Sequence, residues 1–288
     1  SHNPFEDNGI KVFSGAGEKF TETLERQVED EMADTSWSVA PDGPAQVSAV
    51  DHAGEYIEHL LAVLGPAPQT RGMRVVVDCA NGATTTVAPR VFTSLGIDAQ
   101  FIGCEPDGRN INLECGSTAP QRLAAAVVAG GYRLGIAYDG DGDRAIFVDA
   151  QGQVVNGDAV MLMCAKQLKA EGRLQGEAIV ATVMSNIGLE IALKAAGIAL
   201  VRCPVGDKYV MEEMLRSQLS LGGEQSGHVI FADHLFTGDG LATSLHVLRT
   251  MLATGRELAD LASELTSYPQ VLLNLRVQQR VDLRTIPP

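Results

Sequence analysis

The sequence predicts an α/β protein built from repeated mixed α/β domains. Three observations carry that prediction. From Met73 onward, short apolar strands alternate with helical stretches. The alternation starts again near Asp158, and the two runs share a layout. In each, an apolar strand leads to an asparagine, a helix closes on Gly-Ile, and a further strand follows: Val75…Asn81…Gly96-Ile97 and Ile179…Asn186…Gly197-Ile198.

The elements follow in order. Residues 9–14 can form a strand. Thr21 can cap a helix with Leu24, Val28 and Met32 at four-residue spacing. Residues 36–43 read as a loop. Asp51 opens a helix with Ile57, Leu60, Leu61 and Leu64 on one face, and Gly65-Pro66 stops it. The second unit has a strand at Val75–Val77, a helix closing at Gly96, a strand at 100–102, a helix over 121–129 and strands at 134–138 and 145–148. The last two form a hairpin about Asp139–Asp143. In the third unit Asp158 is a good N-cap for a helix carrying Met161, Cys164 and Leu168. Strands at 179–183 and 200–203 flank a helix from Ile187, and a last helix carries Leu241, Leu245, Leu248 and Leu252. From Gln270 the chain reads as strand and linker. The expected units are 1–65, 66–157, 158–268 and 269–288. With no initiator methionine and an opening inside a loop, the sequence reads as a partial chain.

Of the 288 residues 45% are hydrophobic and 20% charged, which suits a folded globular protein. No apolar run approaches the ~20 residues of a membrane span. The formal charge of −14 opposes long-range attraction to nucleic acid or anionic lipid. Five cysteines without a C-x-x-C pair read as reduced core residues of a cytoplasmic protein.

Three segments carry chemistry. In Tyr138-Asp139-Gly140-Asp141-Gly142-Asp143-Arg144, three carboxylates alternate with glycines. Side chains at i, i+2 and i+4 converge once glycine lets the backbone curl. Such hard oxygen ligands suit Mg²⁺ or Ca²⁺. An EF-hand would need glycine at position six and glutamate at twelve, where Arg144 and Ala150 stand. Few protein ligands leave coordination sites open for a phosphate. The second segment is Ser1-His2-Asn3-Pro4 followed by Asp7-Asn8-Gly9-Ile10-Lys11, a hydroxyl with proton-handling neighbours. The third, Gly222-Gly223-Glu224-Gln225-Ser226-Gly227-His228, offers donors and acceptors for sugar hydroxyls or an amine. Neither a dinucleotide fingerprint nor a Walker loop occurs. An N-terminal serine also suits an N-terminal-nucleophile hydrolase, but that leaves the Asp139–Asp143 and Glu224–His228 motifs without a role.

Taken in order, SHNP with DNGIK, DGDGDR and GEQSGH resemble the three signature loops of the α-D-phosphohexomutase family. Gln225, and the stretch Val205-Gly206-Asp207-Lys208-Tyr209-Val210, look like the branch acting on glucosamine phosphates; the phosphomannose and phosphoglucose branch is the alternative. The resemblance implies mixed α/β domains of phosphohexomutase type arranged around a cleft. It implies interconversion of the 6- and 1-phosphates through a phosphoserine and a bisphosphorylated sugar. Ser1, His2, Lys11 and Arg144 would be catalytic, and Ser1, Asp139, Asp141 and Asp143 would hold Mg²⁺. Gly206, Asp207, Glu224, Ser226 and His228 would bind the phosphosugar. The implied partner is a phosphosugar, with no nucleic acid or membrane, and a homodimer is compatible with the reading. A fragment lacking its last domain, and inactive alone, is the non-catalytic alternative.

Overall fold

The computed structural model describes residues 2–7, 12, 14–15, 20, 22–36, 50–64 and 70–273. Helices α1 (Glu22–Ala33) and α2 (Ala53–Leu64) precede the first sheet. Asp51 starts α2 as expected, its Oδ1 accepting the Ala53 N–H at 2.8 Å. Ile57, Leu60, Val63 and Leu64 are buried, each burial contributing ~1.5–3 kcal/mol. The apolar stripe of α1 is different: Leu24, Val28 and Met32 are all exposed. Most of the strand expected over 9–14 falls outside the described residues, while Val12 and Ser14 lie in no strand. Most of the tail beyond Gln270 is likewise undescribed, and 271–273 form no strand.

The first sheet contains β1 (Arg74–Asp78), β2 (Asp98–Ile102), β3 (Leu134–Tyr138), β4 (Ala145–Asp149) and β5 (Val154–Val155), in the order β2-β1-β3-β4-β5. β1 pairs in parallel with β2 and β3, whereas β3–β4 and β4–β5 are antiparallel. Helices α3 (Ala88–Ser94) and α4 (Gln121–Gly130) make the crossovers. The second sheet contains β6 (Ala178–Thr182), β7 (Ala199–Cys203), β8 (Leu221–Gly223) and β9 (Val229–Phe231), in the order β7-β6-β8-β9, with only β8–β9 antiparallel. α5 (Gly157–Ala170) leads into this unit, α6 (Ile187–Ala195) and α7 (Asp207–Ser217) cross over, and α8 (Gly240–Thr254) and α9 (Leu258–Ala262) close it.

The repeat seen in the sequence is thus one topology used twice. Its physical marks are Gly96 and Gly197, both at φ +66°, which turn the chain from α3 and α6 into the next strand. Side chains of both sheets meet in one apolar cluster with α2, α3, α5, α6, α8 and α9, from Val75, Ile136 and Phe147 to Ile179, Leu221 and Val229. The opposite faces are covered by α4 in the first sheet and α7 in the second.

Two expectations need correction. Asn156, not Asp158, caps α5: its Oδ1 accepts the Ala159 N–H at 3.3 Å. Asp158 lies inside the helix, fully buried. The glycine-rich 221–227 stretch is β8 and the turn of a hairpin; β8 and β9 are three residues each, too short to show an alternation, and two of the three in β8 are glycine.

Candidate active site

The Asp139–Asp143 turn joins β3 to β4, and the Glu224–His228 turn joins β8 to β9. These are equivalent places in the two sheets, at the carboxyl ends of parallel strands, where open α/β sheets bind ligands. The backbone brings the two turns together. Arg144 and His228 form an antiparallel bridge, and the Ala145 N–H donates to the Gly227 carbonyl at 3.1 Å. The approach needs glycines: a Cβ on Gly240 would collide with the Arg144 carbonyl, and one on Gly238 with the His228 ring.

Among the described residues, Asp139, Asp141 and Asp143 form a cluster whose carboxylate oxygens lie within 4.8 Å of one another, a group that could hold a metal ion. Asp139 is fully buried. Its Oδ1 accepts the Arg144 N–H at 3.1 Å, while its Oδ2 is buried with no hydrogen-bond partner. Burial, then the Asp143 charge, pushes its carboxyl above the usual range. A buried carboxylate oxygen without a donor, beside two like charges, fits a hard cation; the set contains no nitrogen or sulfur to favour zinc. Arg144 Nε is also buried without a hydrogen-bond partner and stands 4.0 Å from Asp143 Oδ1.

The glycine-rich turn supplies the facing wall. Glu224 is buried; its Oε1 accepts the Gly206 N–H at 3.1 Å and its Oε2 the Ser226 hydroxyl at 3.2 Å. A carboxylate has about four acceptor positions, so both oxygens keep capacity for a ligand hydroxyl. His228 Nε2 is 3.9 Å from Asp143 Oδ2 and 4.0 Å from Asp207 Oδ2, which ties the wall to the aspartate turn. Lys208, adjacent to Asp207, pairs through its Nζ with Glu25 Oε2 at 3.3 Å.

His2 senses the same charges. Partial burial and then the Arg144 cation lower its pKa, against Asp143 and Glu224, which raise it. The Asn3 carbonyl accepts Asn112 Nδ2 at 2.8 Å, fastening this segment to the first sheet. Ser1 and Lys11 lie outside the described residues. Asp139, Asp141, Asp143, Arg144, Gly206, Asp207, Glu224, Ser226 and His228 are therefore neighbours through the contacts above, and His2 lies within electrostatic reach of Arg144, Asp143 and Glu224.

Sequence reasoning missed Asn112 and Asp158. Asp158 Oδ2 accepts the Asn186 N–H at 2.8 Å and Gln225 Nε2 at 3.2 Å, anchoring the 224–228 turn. No local pattern marks either residue; the one available signal near Asn112 is the Asp107-Gly108 turn.

Comparisons with known proteins identify the family of the chain. Models of the phosphoglucomutase/phosphomannomutase α/β/α domains I, II and III match residues 1–38, 54–152 and 156–268. A phosphoglucosamine mutase of Solibacter usitatus is 46% identical over 288 residues, the whole of this chain and 64% of the relative. One from Caldicellulosiruptor bescii is 45% identical, with 96% of this chain and 63% of the relative covered. The chain thus spans just under two thirds of the curated relatives it matches. A phosphoglucomutase/phosphomannomutase family structure from Burkholderia thailandensis superposes with a TM-score of 0.69 at 25% identity, over 84% of this chain and 51% of that one. The Aspergillus fumigatus N-acetylphosphoglucosamine mutase, solved with GlcNAc-6P and magnesium, has the same fold at 18% identity. Its TM-score is 0.74, covering 97% of this chain and 74% of that one. The chain belongs to the phosphoglucomutase/phosphomannomutase family of phosphohexomutases, with matches to its domains I, II and III.

Proposed function

We propose that this chain is the catalytic and metal-binding portion of a phosphoglucosamine mutase, interconverting glucosamine 6-phosphate and glucosamine 1-phosphate through a bisphosphorylated sugar. One observation carries the reading. A triad of carboxylates with a donorless buried oxygen stands beside a turn that carries a glutamate, a serine hydroxyl and a histidine, with His228 Nε2 3.9 Å from Asp143 Oδ2. The curated relatives at 45–46% identity favour glucosamine over mannose or glucose. The proposed units are 1–65, 66–157, 158–268 and 269–288, arranged around a cleft in a cytoplasmic enzyme.

Phosphoryl transfer depends on positioning and on neutralising charge. The Ser1 hydroxyl carries the phosphate. Mg²⁺, held by Asp139, Asp141, Asp143 and an oxygen on Ser1, would supply charge neutralisation at the transferring group. Arg144 adds a fixed cation beside the aspartates. Lys11 accepts the proton of the attacking sugar hydroxyl, and His2 orients the serine loop. Glu224 and Ser226 hold sugar hydroxyls, while Gly206, Asp207 and His228 line the same wall. The Glu224–Gly206 and Ser226–Glu224 bonds hold that wall in shape before a ligand arrives.

In the full-length protein, Ser1→Ala should abolish exchange between the two glucosamine phosphates while substrate and Mg²⁺ still bind. Retained exchange removes Ser1 from the mechanism. Faster turnover of mannose or glucose phosphates than of glucosamine phosphates moves the chain to the other branch.

A further inference from the structure

All five cysteines are free thiols; Cys79, Cys115, Cys164 and Cys203 are buried and Cys104 is half-exposed. Two of them have been brought face to face by a break in the sheet. β1 and β2 run in parallel register from Arg74↔Asp98 to Asp78↔Ile102. The ladder continues one step past the strands, where the Cys79 N–H donates to the Ile102 carbonyl at 3.0 Å. A regular parallel ladder would next take the Asn81 N–H to the Cys104 carbonyl. Instead it donates to Gly103, one residue earlier, and Gly103 stands at φ +60°. This is a bulge, and a bulge places consecutive side chains out of alternation.

The consequence shows in the packing. Val75, Val77 and Cys79 belong to the large core on one face of the sheet, as do Ala99 and Phe101. Val76 and Ile102 belong to the opposite face. By alternation Cys104 should follow Ile102 to that opposite face. It packs against the same apolar cluster as Cys79 instead, one residue beyond the Gly103 carbonyl that the strand of Cys79 reaches through the Asn81 N–H. Neighbouring strands run ~4.8 Å apart, within the Cα separation a disulfide spans.

We propose that Cys79 and Cys104 form a reversible oxidation site, in which a hydroperoxide converts the two thiols into one intramolecular disulfide. Cys104 is the attacking group because it is the member that reaches solvent. The neighbouring Cys79 thiol also holds its thiol below the usual range, favouring thiolate. Cys79 is pushed upward by Cys104 and by burial, and stays protonated. The Cys104 sulfur attacks the peroxide oxygen, the O–O bond breaks, and the first water (an alcohol for an organic peroxide) leaves. Cys104 is then a sulfenic acid. The Cys79 sulfur attacks it, the S–O bond breaks, and a second water leaves with the Cys79 proton. The peroxide is reduced by two electrons and the thiol pair oxidised by two.

The site has a consequential position. The Cys79 carbonyl accepts the Gly82 N–H at 2.8 Å, and the next residue, Ala83, donates its N–H to Gly140 inside the aspartate turn at 2.8 Å. The bridge would therefore form one corner away from the cation cluster.

The test uses the whole chain and hydrogen peroxide. After treatment and unfolding, titratable thiols should fall from five to three. Peptide mapping should join the peptides of Cys79 and Cys104, and dithiothreitol should restore all five thiols. Cys104→Ser, at the half-exposed position, should keep its four thiols under the same treatment. Cys79→Ser, if it folds, should stall at a Cys104 sulfenic acid that dimedone labels. A count that stays at five, a bridge using Cys115, or loss of thiols in Cys104→Ser would overturn the assignment.

Discussion

With no cation beside it, the Asp139 carboxylate is held at a cost. It is fully buried, one oxygen lacks a donor, and Asp143 adds a like charge. Replacing it with asparagine keeps an oxygen to accept the Arg144 N–H at the 3.1 Å position and removes the charge. Two opposite effects should follow. Asp139→Asn should weaken Mg²⁺ binding by at least about tenfold, roughly 1.4 kcal/mol, in a calorimetric titration. The same variant without metal should melt no lower than the parent, because a repelled buried charge has gone. A variant that melts well below the parent yet binds Mg²⁺ normally would show that Asp139 is a structural acceptor instead. Asp139, Asp141 and Asp143 were legible in the sequence because a five-residue D/G alternation fixes its own convergence, whatever the rest of the chain does. Asp158 was not: a capping aspartate and a buried anchoring aspartate carry the same local signal, and only the Asn186 and Gln225 contacts separate them.

The first turn of α5 shows how an element holds a loop in shape. The Gly157 N–H donates to the Gln225 carbonyl at 3.0 Å, and a Cβ on Gly157 would collide with the Glu224 carbonyl. Those are backbone atoms and cannot swing away as a side-chain tip can. Gly157→Ala should therefore lift the 224–228 turn off the helix, costing ~1–3 kcal/mol of stability by overpacking. Glucosamine phosphate binding should weaken several-fold, with Mg²⁺ affinity nearly unchanged because the aspartate turn is held by β3 and β4. Equal loss of both affinities would mean that the two turns move as one body. At this scale most elements were legible, since period and punctuation fix a strand such as Leu134–Tyr138 from its own residues. α7 was passed over although Val210, Met211 and Met214 lie on its buried face, because the glycine and charges at its start read as a motif rather than a helix. β8 was unreadable for a packing reason: a Cβ at Gly222 would press on Met214 and Val210, so the strand contains residues that sequence patterns assign to loops.

Contacts between distant segments hold the two sheets and the early helix α2 together, and no local pattern announces them. Tyr56 donates to Asp239 Oδ2 at 2.8 Å, Tyr138 and Ser244 share a buried hydrogen bond of 2.9 Å, and Arg249 donates to the Val63 carbonyl at 3.0 Å. Beside them lies a row of imidazoles. His59 of α2 meets His234 edge-on at 6.0 Å, His234 tilts against His246 of α8 at 5.1 Å, and His246 stacks on Phe231 at 3.7 Å. Burial, then His234 and the cations of Arg173 and Arg249, lowers the His246 pKa well below 6.5; burial also leads the lowering at His234, where Asp233 opposes it. A histidine held neutral in the fold contributes stability that is complete above pH 6.5 and is lost as pH falls toward its folded pKa. Each such group adds a slope approaching ~1.4 kcal/mol per pH unit in that window. Asp78, Asp139, Asp158 and Asp239 have raised folded pKa values and act with the opposite sign, stabilising as pH falls. The comparison must therefore be between variants, not between pH values alone. His246→Phe keeps a flat ring against Phe231 and cannot titrate. Its urea-unfolding free energy should fall less steeply than the parent's between pH 6.5 and pH 5, whatever its stability at pH 8. Parallel curves for the two proteins across that window would mean that His246 takes up no proton on unfolding, and that the histidine row is only packing.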